Sequence, residues 1–493
     1  MRSSLRDFFF TIDTRSLALY RIGLGLLLLY DVGERWIGIE PFYTVSGVMA
    51  GPARTPLHWS LLDLVHTAWA VRAVFLVAAA AHVALLLGWR TRIAHAVALV
   101  FLVCARNRNP LLSSGADAVL LAMTLWTFFL PLGARWSLDA RRRGAGHPSP
   151  AASEAGLAAL VAVGQIAFVY FTTAVAKSGS TWRDGSAVYY ALQIDQFITP
   201  IGRALGAAPP ALLMIFTYGT LGLEYLTVGL VFVPWLQPLL RRIAIVTLIA
   251  FHLGTWAALV ISSFPFVMIA TYALLLQPAD WEILGRWGAR WLPRIPAAAW
   301  APGTGGRARL FEGRWANLVV AMLFASAAAD GWSWTYATRT GSEPRRLPLW
   351  LHAPALVLDL RQGWRMFAPD PLRGDGWWVV DGVTESGAPF DPLRNGPPEW
   401  GKPAQLAFRR TPMWRMYLFN VSLPRNMAYW PNFSRWLAGR TRPNPPERRL
   451  QRFEMWWVQE DTQPPGVPKP WPVRRYRLWS WDSATGTVRR GEV

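Results

Sequence analysis

Apolar residues fill the first two thirds of the chain in long runs, separated by short loops that carry arginine. Runs able to cross about 30 Å of hydrocarbon stand near residues 16–33, 69–88, 91–106, 115–132, 156–177, 211–233, 242–261, 263–278 and 314–331. The pattern predicts about nine spanning helices, the third and eighth short enough to be tilted, re-entrant or buried among the others. From about Pro344 the pattern changes to Pro, Trp and Arg with short alternating runs. Residues 376–384 and the stretch after them predict a strand, a Gly-containing turn and a return strand. Further strands are expected at 452–458 and 475–481, and short helices at 411–421 and 432–439. The fold class read from this is an all-α polytopic membrane bundle over residues 1–335, followed by a soluble extracytoplasmic α+β domain over 345–493. The many Trp of that second region are expected to rest on the bundle or at the lipid headgroups.

Loop charge orients the bundle. With Arg2 and Arg6 in the cytoplasm, the same side receives Arg90 and Arg92, Arg135 with Arg141 to Arg143, Arg241 and Arg242, and the stretch from Arg286 to Arg314. ArgAsnArgAsn at 106–109 is the exception and falls outside. An odd number of spans puts the tail outside too, on the periplasmic or extracellular face of what the Arg- and Ala-rich composition suggests is a bacterial inner membrane. The N-terminal apolar stretch contains Arg15 and Arg21 and leads to no small-residue cleavage site, so it reads as a retained helix. Composition agrees: 53% of residues are hydrophobic and 16% charged, too apolar for an ordinary soluble domain. The formal charge of +20 sits in loops and tail, which argues against nucleic acid as its partner. The single cysteine, Cys104, excludes an intramolecular disulfide or a thiolate metal cluster.

Ionisable groups inside apolar runs are costly, so each is a functional candidate. They are Arg21, Asp31, His82, His95, Asp117, Lys177, Glu224 and His252. Arg21 reads as half of a structural ion pair, with Asp117 or Glu224 as partner; His82 and His95 read as interhelical hydrogen-bonding groups. His252 and Glu224 lie on consecutive helices, but no HExxH or similar spacing adds a further ligand, so no metal is expected. Lys177 differs. The chain has only Lys177, Lys402 and Lys469 among 50 basic residues, and one of them stands in a membrane run. Arginine stays protonated at any ordinary pH, whereas a desolvated lysine can serve as a base. The competing reading is a lysine that snorkels at its helix end.

The segment 170–192, with Tyr170 and Phe171, Ala176 and Lys177, then Trp182 and Gly185, resembles the part of vitamin K-dependent gamma-glutamyl carboxylases that carries their catalytic lysine. SerLeuAlaLeuTyrArgIleGlyLeuGly near the start and ArgAsnProLeuLeuSerSerGlyAlaAsp at 108–117 are similar to the bacterial branch called the horizontally transferred transmembrane (HTTM) domain, and TrpArgMetPheAlaProAspPro at 364–371 is similar to the start of the tail in some bacterial members. The resemblance covers roughly residues 10–330. It implies a carboxylase-like enzyme of the carbon-carbon lyase class that uses reduced vitamin K or menaquinol, with Lys177 as general base. Arg21, Asn107, Asn109, Asp117, Tyr170, Trp182, Glu224 and His252 are then candidates for the substrate pocket. It implies membrane quinone as partner and an extracytoplasmic peptide or protein as acceptor. One departure stands out: the family's functional histidine has no counterpart at 106–110, where Asn107 and Asn109 can hydrogen-bond but not exchange a proton. The alternative is a non-catalytic membrane binding or accessory protein with a lipid cavity and a partner-docking tail. A secondary transporter is disfavoured by the lack of matching broken helices in two halves.

Overall fold

A computed structural model of the chain describes residues 5–51, 57–144, 150–153, 156–291, 300–303, 305, 314–403, 412–440 and 448–491. Parts of the basic 286–314 stretch, and residue 411 of the expected helix 411–421, lie outside them. The helices that matter here are α1 (Thr14–Trp36), α2 (Ala68–Leu87), α3 (Thr91–Arg108), α4 (Gly115–Phe128), α5 (Leu157–Ala176), α6 (Pro210–Phe232), α7 (Leu239–Ala258), α8 (Phe264–Thr271) and α9 (Arg314–Thr340). Among the described residues, six are long and apolar enough to cross a membrane: α1, α2, α5, α6, α7 and α9. Nine spans are therefore not confirmed. Helix α3 carries Arg92, Arg106 and Arg108, α4 has 14 residues, and the eighth run is the 8-residue α8 followed by a 3-10 turn.

Helices α6 and α7 show why the chain needs lipid. The buried stripe of α6 is Leu213, Thr217, Glu224, Thr227 and Val231, and that of α7 is Arg241, Ala244, Leu248, His252 and Ala258. Ile215, Leu226, Val246 and Trp256 meanwhile point outward and are exposed. Polar groups thus face in and apolar groups out, the inverse of a helix in water. Helices α5 and α9 run parallel, tied at one end by Leu157 N–H on Asn317 Oδ1 (3.0 Å) and at the other by Ser178 Oγ–H on the Arg339 carbonyl (3.4 Å).

After α9 the chain doubles back into the bundle. Helix α10 (Leu349–Val357) runs against α9, its Ala355 N–H on Ser326 Oγ (3.0 Å) and His352 Nε2 beside Asp330 (3.1 Å). The next residues return without helical structure. Arg106 donates to Asp359 (2.6 Å), and Gln362 bridges Asp330 to Gln165 in the middle of α5. Irregular backbone at this depth is tolerable only because protein surrounds it.

Beyond lies an antiparallel sheet in the order β1 (Gly374–Thr384), β2 (Leu450–Asp461), β3 (Val473–Asp482), β4 (Val488–Arg490). Trp378 stands opposite Trp457, and Phe453 opposite Trp481. The expected return strand after β1 is not formed: Val383 and Pro389 make only an isolated bridge, and β1 takes β2 as its neighbour instead. Between them come α11 (Pro412–Ser422) and α12 (Trp430–Arg440). Tyr417, Phe433, Trp479 and Val380 pack with Phe42, Tyr43 and Phe75 of the bundle in one continuous core. The Trp414 ring lies 4.6 Å from Phe42, and Asn420 donates to the Leu111 carbonyl.

Candidate functional site

Seven of the singled-out residues converge on one cavity of about 750 Å³: Asp31, Asp117, Tyr170, Lys177, Trp182, Glu224 and His252. Tyr170 and Lys177 are seven residues apart, two turns on one face of α5. The α5 helix stops at Ala176, so the Lys177 ammonium turns inward at the helix end. It donates to Glu224 Oε1 from the buried stripe of α6. Its Nζ also lies over the Trp182 indole, 4.8 Å from the ring centroid. The side chains of Lys177 and Glu224 are 4% and 5% exposed, which removes the reading of a snorkelling lysine. An apolar surround makes an isolated charge costly, and the pair brings the local charge to zero.

A second polar wall adjoins the pair. Tyr170 Oη lies 2.6 Å from His252 Nε2 and within hydrogen-bond distance of Tyr272 Oη. Among the described residues, Glu224 Oε2 and His252 Nδ1, both buried beside the cavity, make no hydrogen bond. An unmade hydrogen bond in such a place costs about 1–3 kcal/mol. At the other end Arg35 donates to Asp31 (2.9 Å), to Tyr43 Oη (2.7 Å) and to Asp117. Asp117 also caps α4, accepting from Ser114 N (2.7 Å) and Ser114 Oγ (2.6 Å). Most of the remaining lining is apolar, including Val169, Leu192, Phe216, Phe251 and Phe264. Phe216, Gly254 and Val260 of the lining are exposed on the flank of the bundle, so the cavity reaches the lateral surface between α6 and α7.

Three of the pocket candidates that the resemblance implied lie elsewhere. The expected pairing of Arg21 with Asp117 or Glu224 is replaced by bonds to carbonyls: Arg21 donates to Leu132 (3.2 Å), Arg135 (3.1 Å) and Trp136 (2.6 Å). Both carboxylates are held by other cations, and the turn after α4 presents backbone carbonyls to the guanidinium. That turn packs on Gly88, which caps α2 at φ +68°, where an added Cβ would come within 2.3 Å of Ser137. Asn107 donates to the Trp59 carbonyl (2.9 Å) and Asn109 to that of Phe42 (3.3 Å), fixing the loop after α3 outside the cavity.

Sequence reasoning missed Arg35, Tyr272 and the tail's share of the wall. Met366, Phe367, Asp370, Met413 and Arg415 all line the cavity. Asp31 and Arg35 stand four residues apart, a spacing that signals a helical ion pair, but the expected span ended at residue 33. The HTTM domain family model matches residues 9–281, more than half of the chain, and so takes in every cavity wall from α1 to α8 but not the tail. No curated protein and no solved structure matches the chain.

Proposed function

This chain belongs to the HTTM domain family, and from that membership and the buried Lys177–Glu224 pair we propose a multi-pass membrane enzyme that takes a hydroxyl proton from a lipid quinol. The observation that carries the reading is the pair's position at the polar end of an apolar cavity that reaches the lateral surface. An isoprenoid substrate enters such a cavity from the bilayer, and about 300–1,000 Å³ is the usual size for a small-molecule site. The orphaned Glu224 Oε2 and His252 Nδ1 fit a ligand that brings hydroxyl groups. Bound reduced vitamin K or menaquinol supplies the acidic hydroxyl and the reducing equivalents for a carboxylase-like reaction.

The residues act as follows. Lys177 and Glu224 hold one proton between them, and the proton acceptor is the pair rather than the amine alone. An incoming hydroxyl proton is taken at Glu224 Oε2, or at Nζ once its own proton has moved to Oε1. The remaining ammonium character stabilises the negative oxygen left behind, an interaction strengthened by the exclusion of water. The Trp182 face keeps the ammonium oriented. Tyr170 and His252 orient the ligand from the adjoining wall. Loop charge supports a cytoplasmic N-terminus; Thr14 N–H on the Ala151 carbonyl (3.2 Å) sets the start of α1 beside the start of α5, and α9 runs parallel to α5, which supports a tail on the opposite, outer face of a bacterial inner membrane, where an extracytoplasmic peptide or protein acceptor would reach the cavity past Arg365.

The test is quinol-dependent oxygen uptake by the full chain in lipid, with menaquinol and vitamin K hydroquinone. Uptake is expected in the wild type and should fall at least about a hundredfold in both Lys177→Ala and Lys177→Arg, because arginine keeps the charge but cannot accept a proton. Uptake that survives Lys177→Arg removes the base assignment. No uptake with either quinol turns the reading to a non-catalytic lipid-binding cavity.

A further inference from the structure

From Gly179 to Trp182 the turn that follows Lys177 is held by the tail. Asp370 Oδ1 accepts from Thr181 N (2.8 Å) and Thr181 Oγ (2.5 Å). Gly179 N donates to the Pro369 carbonyl (3.0 Å), and the Trp182 indole N–H to the Phe367 carbonyl (2.9 Å). Arg373 donates to Ser180 Oγ (2.7 Å). Every residue from Gly179 to Trp182 is therefore bonded to residues 367–373. The approach is close: a Cβ on Gly179 would stand 2.1 Å from the Asp370 carboxyl group. Trp182 is the ring beneath the Lys177 ammonium, so the chain of contacts runs from Asp370 through Thr181 and Trp182 to Nζ.

We propose that Asp370 is a positioning residue for Lys177, and that the tail segment 367–373 is a working part of the cavity rather than an appendage. The inference deepens the reading of Lys177 as part of a proton acceptor and rests on it for the kinetic consequence, but its geometric content stands apart from turnover. Asparagine at 370 keeps an oxygen able to accept both Thr181 bonds; alanine keeps neither. Gly179→Ala leaves every polar atom in place and acts only by pushing on the carboxylate. In the Asp370→Ala background that Cβ meets no carboxylate, so the two changes should not add.

The experiment is amine-directed labelling of the full chain in lipid, read peptide by peptide by mass spectrometry. The three lysines make it clean. Lys469 is exposed and normalises the yield, and Lys402 reports whether the tail stays seated, because its ammonium bonds Asp195 of the bundle as well as Glu460 of the sheet. Lys177 labelling is expected to rise about tenfold in Asp370→Ala and in Gly179→Ala, to stay near wild type in Asp370→Asn, and to rise no further in the double variant. Lys402 should not change. Where wild-type uptake is measured, kcat should fall about tenfold in the same two variants with KM altered less than about twofold. Lys177 labelling unchanged in Asp370→Ala overturns the proposal, as does a parallel rise at Lys402, which would mean the tail had come away. Absent wild-type uptake would count against the enzymatic reading alone and leave the labelling result decisive for positioning.

Discussion

Lys177 and Lys402 are both paired lysines, but on opposite terms. Lys177 faces one carboxylate and one aromatic ring in an almost fully buried site, and its partner retains an orphaned oxygen. Lys402 is 30% exposed and gathers three carboxylates, Glu460 (2.5 Å), Asp195 (2.7 Å) and Asp375 (3.3 Å), where the sheet meets the segment before α6. The first site is under-supplied with partners and the second over-supplied. A deficit beside a cavity leaves room for a ligand, whereas a surplus at a seam fixes two parts of the chain together.

The largest effect that would test this contrast comes from emptying the cavity pair. Glu224→Met strands a buried ammonium and is expected to cost about 3–5 kcal/mol. Adding Lys177→Met should return most of it, because an apolar pair of similar volume needs no desolvation. Thermal midpoints of the full chain in lipid measure both, and quinol-dependent uptake should be absent throughout. If the double variant is no more stable than Glu224→Met, the two charges are not compensating one another.

Lys402→Met should be milder in one sense and wider in another. Solvent screens a partly exposed lysine, so the loss is on the order of 2 kcal/mol, felt as easier separation of sheet and bundle. Faster hydrogen exchange across 187–199 and β1 would record it, with uptake lowered less than about threefold. A larger loss of uptake than of exchange protection would place Lys402 closer to the chemistry than its position suggests.

How far the site could be read from the sequence follows the same line between local and assembled features. Glu224 and His252 were visible because an apolar helix that spends surface on an ionisable group marks that group, and Lys177 because lysine is scarce here. Arg21 carried the same mark, but backbone carbonyls hold it, and a carbonyl leaves no trace in residue type. Arg35 lay just past the last apolar residue of its run. The return of the chain through α10 was hidden because LeuTrpLeuHisAlaProAlaLeuVal is too short to register as a span. The grip of Asp370 on Thr181 joins residues 189 positions apart, a pairing that only the folded chain reveals. The strand pattern foretold β1, β2 and β3 but not their order, since the neighbour of β1 comes after two intervening helices.

The smallest expected effect is a pH dependence of the tail and of its junction with the bundle, and its sign separates two kinds of carboxylate. Burial pushes Asp391 up to about 6 from an ordinary 3.8, against the pull of the Val380, Leu393 and Arg394 amides. Its protonated form is favoured by folding, so its contribution is complete below about 3.8 and lost as pH rises through about 6. Burial would also raise Asp195, but the hydrogen bond and charge of Lys402, with Arg203, hold it below the ordinary value. Its contribution is complete above the ordinary value and lost as pH falls through the depressed one. Exchange protection of the Val380 and Leu393 amides, corrected for the intrinsic rate, should therefore increase from pH 7 to pH 5. Protection of 187–199 should hold over that window and fail only in stronger acid. Asp391→Asn should flatten the first limb and leave the second, and Lys402→Met the reverse. If both limbs respond to either substitution, sheet and seam open as one unit, and the surplus of carboxylates around Lys402 then serves the whole tail rather than its junction with the bundle.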